Sequence, residues 1–491
     1  MLDLVLVRTR NNPADGVKKN SDSGEYSGRR MAPFGIMNIA AYCRQQGHSV
    51  KLFDLYRPEF DGVPLAGIAD QIAALTPRMV GISAMTSQSV DAMALGDLLM
   101  QKCDAKVVHG GVHPATLPHV ALKHGHYVVQ GDGEHTMHEL LMAEGNPSVD
   151  APWKSRPAVR QDSPTKAMAE RVLKVVEADD SRIIPGKLLT VQEMAAIPWA
   201  TKKEFDETAF DPRLLYEFPI ITARGCPYRC VFCKDGFGLR QSTVRYYPVD
   251  YVVDYLECIQ KTYGFRRIQV LDDIFLSSVS RMEEMAAKLE ARNLKFNFNC
   301  MVHANTVKPK FLKVMHRLGI DWVYVGIESG NDAIHKMINK GTDTARIEAA
   351  VRLLKQNGFY TAGMFMIGNI GETVETIEQT IRFAMRLPLD RTWFSFAAPY
   401  PGTPFYDMVK EYGEILEPDF AKWNQASLVY KPRDVSVHDM HRLMRRAQAV
   451  RVYKKIRHTL VGHWEAPLRR TLSQTFPKGV APEQVAETRA S

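Results

Sequence analysis

Apolar positions in the first part of the chain gather into short runs: Leu2–Val7, Ser49–Phe53, Met79–Ser83, Lys106–His109 and Tyr127–Gln130. Runs of this length, bounded by polar or glycine-containing turns, predict strands. In the stretches Gly35–Gln46, Leu65–Leu75, Ser87–Lys102 and Thr136–Ala143, apolar residues return every three or four positions, which predicts helices. Strands alternating with helices predict a doubly wound parallel α/β sheet over residues 1–145. In such sheets ligands bind beyond the carboxyl ends of the strands. His109-Gly110-Gly111-Val112-His113-Pro114 and Gln130-Gly131-Asp132-Gly133-Glu134 both fall on that edge.

The pattern weakens over 146–215, where Pro147, Pro152, Pro157, Pro164, Pro185 and Pro198 are scattered among charged residues and predict a linker with packed turns. A second alternating series follows. Its predicted strands are Phe218–Ala223, Arg267–Leu271, Phe296–Met301, Trp322–Ile327, Thr361–Ile367 and Trp393–Ala397. Helical stretches separate them: Tyr251–Thr262, Ser280–Arg292, Lys308–Leu318, Thr344–Asn357 and Val374–Leu387. Six repeats fall short of a full eight-fold barrel, so 216–414 predicts a partial (β/α)6 TIM-like barrel with its chemistry on carboxyl-end loops. Residues 415–491 read as a basic helical region with a polar end from Phe476.

Composition narrows the class. Of 491 residues, 45% are hydrophobic and 24% charged, as in a globular protein of more than one domain. The start, MLDLVLVRTR, has too short an apolar run for a signal peptide, and no run of about 18 apolar residues suggests a spanning helix, so a cytoplasmic location is expected. The net charge of +8 is partly local to His441–His458, where Leu443, Ala447, Val450 and Ile456 recur at near-helical spacing. A helix of this kind suits either a solvated face or contact with an acidic partner or membrane surface.

Seven cysteines, three of them within eight positions, suggest metal binding rather than a disulfide framework. Cys43, Cys103, Cys258 and Cys300 stand alone and read as free thiols. Cys226, Cys230 and Cys233 form a C-x3-C-x2-C loop after the first strand of the second series. Three thiolates on one loop can hold an iron–sulfur cube and leave one iron open to a chelating ligand. A structural zinc site with a fourth ligand such as His303, or a redox disulfide, is the competing reading.

This loop and its position resemble the radical S-adenosylmethionine superfamily. The resemblance implies a [4Fe–4S] cluster on Cys226, Cys230 and Cys233, S-adenosylmethionine chelating the open iron, and Phe232 near the adenine. Leu271-Asp272-Asp273-Ile274-Phe275, Gly326-Ile-Glu328-Ser329-Gly330 and Phe365-Met-Ile-Gly368-Asn-Ile-Gly371-Glu372-Thr373 resemble turns that follow later barrel strands in that family. They imply cofactor contacts for Asp272, Asp273, Glu328, Ser329 and Gly368. Ile370 stands where proline is usual in the last of these turns, and His303 stands near where an arginine is often found.

The first domain resembles the cobalamin-binding domain that precedes the barrel in one class of these enzymes. Ser83, Gly110, Gly111, His113, Gly131, Gly133 and Glu134 carry that resemblance and would face the corrin. A nucleotide or flavin domain shares the topology. No Asp-x-His-x-x-Gly sequence is present, so His113 is not expected to ligate cobalt. The two domains together imply a cobalamin-dependent radical enzyme, foremost a methyltransferase acting on an unactivated carbon. Cyclases or oxidoreductases without methyl transfer, and a non-catalytic sensor, are the alternatives. A methylthiotransferase would need a second cluster on three N-terminal cysteines, where this chain has Cys43 and Cys103. Expected partners are a small-molecule, lipid or tetrapyrrole substrate and an electron donor such as flavodoxin or ferredoxin; no nucleic acid is expected.

Overall fold

The structure, a computed structural model, describes residues 2–10, 32–145, 180–186, 188–212, 215–234 and 243–461. The stretch 146–179 of the expected linker, and the polar end from Phe476, lie outside the described residues.

Six strands form the first sheet: β1 (Leu2–Arg8), β2 (Val50–Asp54), β3 (Pro77–Ser83), β4 (Lys106–Gly110), β5 (Tyr127–Gln130) and β6 (Ile183–Pro185). They pair in parallel in the order β2-β1-β3-β4-β5-β6. Chain order reverses between β1 and β3, which opens a crevice at the carboxyl edge. The sixth strand comes from the segment read as linker. Its three residues, Ile-Ile-Pro, are too short to show a period, yet Ile183–Pro185 pairs in register with Val128–Gln130.

The second sheet begins with β7 (Phe218–Ile220). Two short strands follow, β8 (Ala223–Arg224) and β9 (Arg245–Tyr246), which pair antiparallel with each other. Then come β10 (Arg267–Val270), β11 (Asn297–Val302), β12 (Ile320–Glu328), β13 (Tyr360–Ile367) and β14 (Arg391–Phe396). The six main strands are parallel in the order β14-β13-β12-β11-β10-β7. Helices between them bury one apolar face each; in Pro309–Leu318 the inward set is Phe311, Leu312, Val314, Met315 and Leu318.

The helix Val437–Val461 packs on β14 and on the helix Val374–Arg386. It thereby covers what would otherwise be an open sheet edge. Met440, Leu443, Ala447, Val450 and Lys454 form its buried stripe. Lys454 Nζ donates to the carbonyls of Met385 (2.9 Å) and Leu387 (2.6 Å), capping the end of the neighbouring helix. Ile456, expected on the apolar stripe, is 52% exposed beside exposed Val452 and Tyr453. The buried stripe runs through Lys454 instead, because a lysine stem packs well once its ammonium reaches carbonyls. Among the described residues no helix is long and apolar enough to cross a membrane.

Candidate cofactor and active site

The turn from β7 to the cysteine loop is built by two carboxylates from the end of β10. Asp272, 2% exposed, accepts from the Thr222 amide (2.5 Å), the Thr222 hydroxyl (2.5 Å) and the Ala223 amide (3.0 Å). Asp273 accepts from the Gly225 amide at 3.1 Å. These bonds explain why the strand expected over 218–223 stops at Ile220: the Thr222 and Ala223 amides are taken by a side chain, not by a ladder. Gly225 has φ +93°, and a Cβ there would stand 2.4 Å from the Thr243 carbonyl. Only glycine suits that turn. Burial pushes the Asp272 carboxyl up to about 6, against the pull of its three donors.

The loop itself is pinned on several sides. The Val231 amide donates to Ile338 O (2.9 Å), the Phe405 amide to Val231 O (3.1 Å) and Asn339 Nδ2 to Arg229 O (2.7 Å). Tyr228 stacks on His303 with centroids 3.7 Å apart at 15°. The His303 ring is fully engaged: Nδ1 accepts from the Asn305 amide (3.2 Å), which leaves Nε2–H to donate to Lys340 O (2.9 Å). Burial, helped by the Lys340 charge, pushes this imidazole down to about 3, so it is neutral. His303 therefore supports the loop from behind and offers no free nitrogen as a fourth zinc ligand.

Cys230 is buried, and Cys226 and Cys233 are half-buried. Burial raises the Cys226 thiol to about 11 and raises Cys230 as well, while Lys340 pulls both the other way. Among the described residues no three His, Cys, Asp or Glu side chains converge at single-ion distance. An iron–sulfur cube binds each cysteine through a different iron, so its ligands stand farther apart than those of one zinc ion. The three cysteines on a fixed loop, beside a buried cation, suit an anionic cluster.

That cation, Lys340, carried no signal in the sequence beyond a lysine before Gly341. It is 6% exposed and donates to Glu328 Oε1 at 2.9 Å. Burial works against its charge, but Glu328 and the thiols of Cys230 and Cys233 outweigh that and hold the ammonium above its usual range. Phe232 lies in the same place, its ring centroid 5.9 Å from Lys340 Nζ. Glu328 has φ +63°, a costly conformation for a non-glycine residue and one that clusters at functional sites.

Two predicted residues point elsewhere. Ser329 is fully buried and its hydroxyl lies 3.1 Å from Thr380 Oγ1, also accepting from the Asn331 amide at 3.3 Å. It ties the turn to the next helix instead of facing an open site. Gly368 sits at φ +87°, and its amide donates to Glu372 at 2.7 Å, as does that of Asn369 at 2.8 Å. Burial pushes the Glu372 carboxyl up to about 8, and its other oxygen has no hydrogen-bond partner.

The crevice at the edge of the first sheet has a volume of about 230 Å³. Ser83, Gly110, Gly111, Gly131, Gly133 and Glu134 line it from that sheet. Ala223, Arg224 and Asp273 line it from the barrel side, so the crevice lies between the two sheets. A Cβ added to Gly110 would meet no atom within 4 Å. The backbone there is open to a flat ring, as a corrin requires. His113 is 1% exposed and does not line the crevice; its ring packs edge-on against Phe420 at 4.9 Å. Glu134 lines the crevice but its carboxylate is taken by Arg224 NH2 at 2.7 Å. A separate open depression bordered by His119, Lys123 and Arg182 lies at the amino ends of β5 and β6, away from the cysteine loop.

Of the other thiols, Cys43 is fully buried, and burial pushes it up to about 12. Cys103 ends the helix Ser89–Lys102 and donates to Leu99 O. Neither is placed as a cluster ligand.

Residues 220–384 match the Radical SAM superfamily and residues 24–141 match the B12 binding domain. The chain belongs to the radical SAM superfamily, in the class that carries a B12 binding domain ahead of the barrel. It is 28% identical to the uncharacterized methyltransferase PH0819 of Pyrococcus horikoshii over 84% of this chain and 86% of that one. It is 25% identical to the anaerobic magnesium-protoporphyrin IX monomethyl ester cyclase of Rubrivivax gelatinosus, over 84% of this chain and 72% of the cyclase. In fold it is similar to the radical S-adenosylmethionine methyltransferase TsrM of Kitasatospora setae, solved with cobalamin and a [4Fe-4S] cluster. The TM-score is 0.61 at 18% identity, covering 90% of this chain and 84% of TsrM. The chain is thus a cobalamin-dependent radical SAM enzyme, with methyltransferases and a cyclase among its relatives.

Proposed function

We propose that the protein methylates an unactivated carbon of a small molecule. The observation that carries this reading is that the strand leading into the cysteine loop lines the crevice of the first sheet, through Ala223 and Arg224, the latter two residues before Cys226. When bound, the reduced cluster supplies the electron that splits S-adenosylmethionine, and cobalamin serves as the methyl carrier.

The residues of this chain bind, orient and shield. Cys226, Cys230 and Cys233 would hold the cluster. Lys340 is the buried cation beside them, and the α-carboxylate of S-adenosylmethionine is the anion it would meet. Phe232 and Glu328 border the same space. Ser83, Gly110, Gly111, Gly131 and Gly133 would take the corrin. Phe420 packs edge-on against His113, and Trp423 and Tyr400 continue the aromatic cluster behind it. We assign 1–145 to the corrin domain, 146–215 to a linker that lends β6, 216–414 to the barrel and 415–491 to the capping tail.

The finer partners follow the same reading. Electrons come from a flavodoxin or ferredoxin, and the enzyme works in the cytoplasm. The exposed Val452, Tyr453 and Ile456, beside Lys455 and Arg457, would let the last helix touch an anionic membrane surface if the substrate resides there. Similarity to the cyclase along most of the chain favours one second reading, ring formation without methyl transfer.

Anaerobic reconstitution with iron, sulfide and hydroxocobalamin, followed by optical spectra and product analysis, tests both. S-adenosylhomocysteine formed together with 5′-deoxyadenosine supports methyl transfer. 5′-Deoxyadenosine alone supports the cyclase reading, and a spectrum without cluster and corrin bands overturns both.

A further inference from the structure

The cysteine loop is bracketed by two cations that reach into the other domain. Arg224 stands two residues before Cys226, and Lys234 one residue after Cys233. Arg224 NH1 donates to Asp132 Oδ1 (2.9 Å), and NH2 donates to Glu134 Oε1 (2.7 Å) and to the Tyr247 hydroxyl (2.6 Å). Arg245, on β9 opposite Arg224, donates to the other oxygen of Asp132 at 2.5 Å. At the far end of the loop, Lys234 Nζ donates to Val112 O and, at 3.3 Å, to Thr116 Oγ1.

Their targets are specific places. Asp132 and Glu134 alternate with Gly131 and Gly133 on the turn after β5, where the glycines line the crevice. Val112 and Thr116 are the first and last residues of the short helix that follows Gly110 and Gly111 after β4. The crevice-lining turn after β5, and the helix that continues directly from the crevice-lining Gly110-Gly111, are therefore bonded to the two ends of the cluster loop. Arg224, Asp132 and Glu134 are all buried, and a buried ion-pair network tolerates little displacement because unpaired charge in the interior is costly.

We propose that Arg224 and Lys234 are positioning residues that hold the cluster loop in fixed register over the corrin-binding turns and so set the separation between the two cofactors. Neither residue touches the reacting atoms. Each acts through the domain it grips, and the pairing of one cation with each turn constrains tilt as well as distance. Geometry at this level matters because misplacement by about 1 Å lowers the rate of an oriented reaction by roughly a hundredfold.

The inference rests on both groups binding as described above, and its test separates the two ideas. The full-length protein is reconstituted with cluster and cobalamin, reduced so that both are paramagnetic, and the dipolar coupling between them is read by pulsed EPR. Wild type should give one narrow coupling. Arg224→Gln and Lys234→Met should retain iron and corrin while that coupling weakens and broadens, and Arg224→Lys should restore part of it. If Arg224→Gln fails to fold, Lys234→Met decides alone, since its side chain is only half-buried. A coupling identical to wild type in folded, fully loaded variants overturns the positioning role. A wild-type protein that holds only one of the two groups overturns the functional reading instead.

Discussion

Lys340 places its ammonium 2.9 Å from the Glu328 carboxylate, and both side chains are nearly closed off from solvent. The pair stands at the mouth of the barrel, beside the phenyl ring of Phe232. A charge in that position is expensive to keep unless it meets more than one anion. Glu328 is one; the cluster thiolates and the carboxylate of S-adenosylmethionine would be the others.

Lys340→Met should therefore weaken S-adenosylmethionine binding by about ten- to a hundredfold, the worth of a charge-assisted hydrogen bond of roughly 1.5–3 kcal/mol. It should also destabilise the fold by about 3–5 kcal/mol, because Glu328 is left buried without its partner. Calorimetric titration of the reconstituted variant checks the first effect and urea unfolding the second. Wild-type affinity in the variant would remove Lys340 from the binding site. Glu328→Gln with Lys340 intact should cost a comparable amount, since it leaves the buried Lys340 ammonium without its carboxylate.

His303 gives a pH dependence. The folded ring sits at about 3, through burial and the nearby Lys340, whereas a histidine in the unfolded chain titrates near about 6.5. Between those values the unfolded state takes up a proton that the folded state refuses, so stability is complete above pH 6.5 and is lost as pH falls below it. His109 and His113, both pushed down to about 4 by burial, act in the same direction. His303→Phe, which keeps the stack on Tyr228, should shrink the loss between pH 7.5 and 5.5 by about 1 kcal/mol. Urea midpoints at the two pH values measure it. An unchanged slope would mean that His303 is not held neutral in the fold.

Much of this site was readable from residue order, and the exceptions share a physical cause. The C-x3-C-x2-C loop, the glycine turns after β4 and β5, and Asp272 and Asp273 are local features, and the structure brings each to a carboxyl-end edge. Ser329 and His113 could be located but not oriented, since what settles them is a neighbour distant in sequence: Thr380 for one, Phe420 for the other. Lys340 and Arg224 had no local mark at all. Their importance appears only once the barrel closes and the two sheets meet, as an ammonium or guanidinium that finds its anions 12 and 90 residues away. β6 was missed for the same reason: three residues make a strand only because Val128–Gln130 is there to receive them.

His113 bears on the cobalt. Its Nδ1 is buried without a hydrogen-bond partner, and the ring is held against Phe420, outside the crevice lining. The cob(II)alamin EPR spectrum of the reconstituted protein should accordingly show no splitting from a histidine nitrogen, and His113→Phe should leave the spectrum unchanged. A nitrogen triplet in wild type that disappears in the variant would show that the imidazole swings in to ligate the metal.

Stability and cluster retention are separable in this fold. Asp272 satisfies three donors in the turn before the cysteine loop, and Asp272→Ala leaves the Thr222 amide, the Thr222 hydroxyl and the Ala223 amide without it. Each buried donor left unpaired costs about 1–3 kcal/mol, so a loss of at least about 2 kcal/mol is expected. Asp321 offers a comparison at the other end of the barrel, where it accepts from Arg267 at 2.7 Å next to the amino end of β10. Asp321→Ala should also destabilise the fold, since it leaves the buried Arg267 guanidinium with Glu217, 3.6 Å away, as its remaining carboxylate. The two variants should differ in iron. Asp272→Ala frees the loop that carries Cys226 and should lose cluster on gel filtration, whereas Asp321→Ala should keep wild-type iron and sulfide. Equal retention in both would mean that the cysteine loop holds its shape without the carboxylates beneath it.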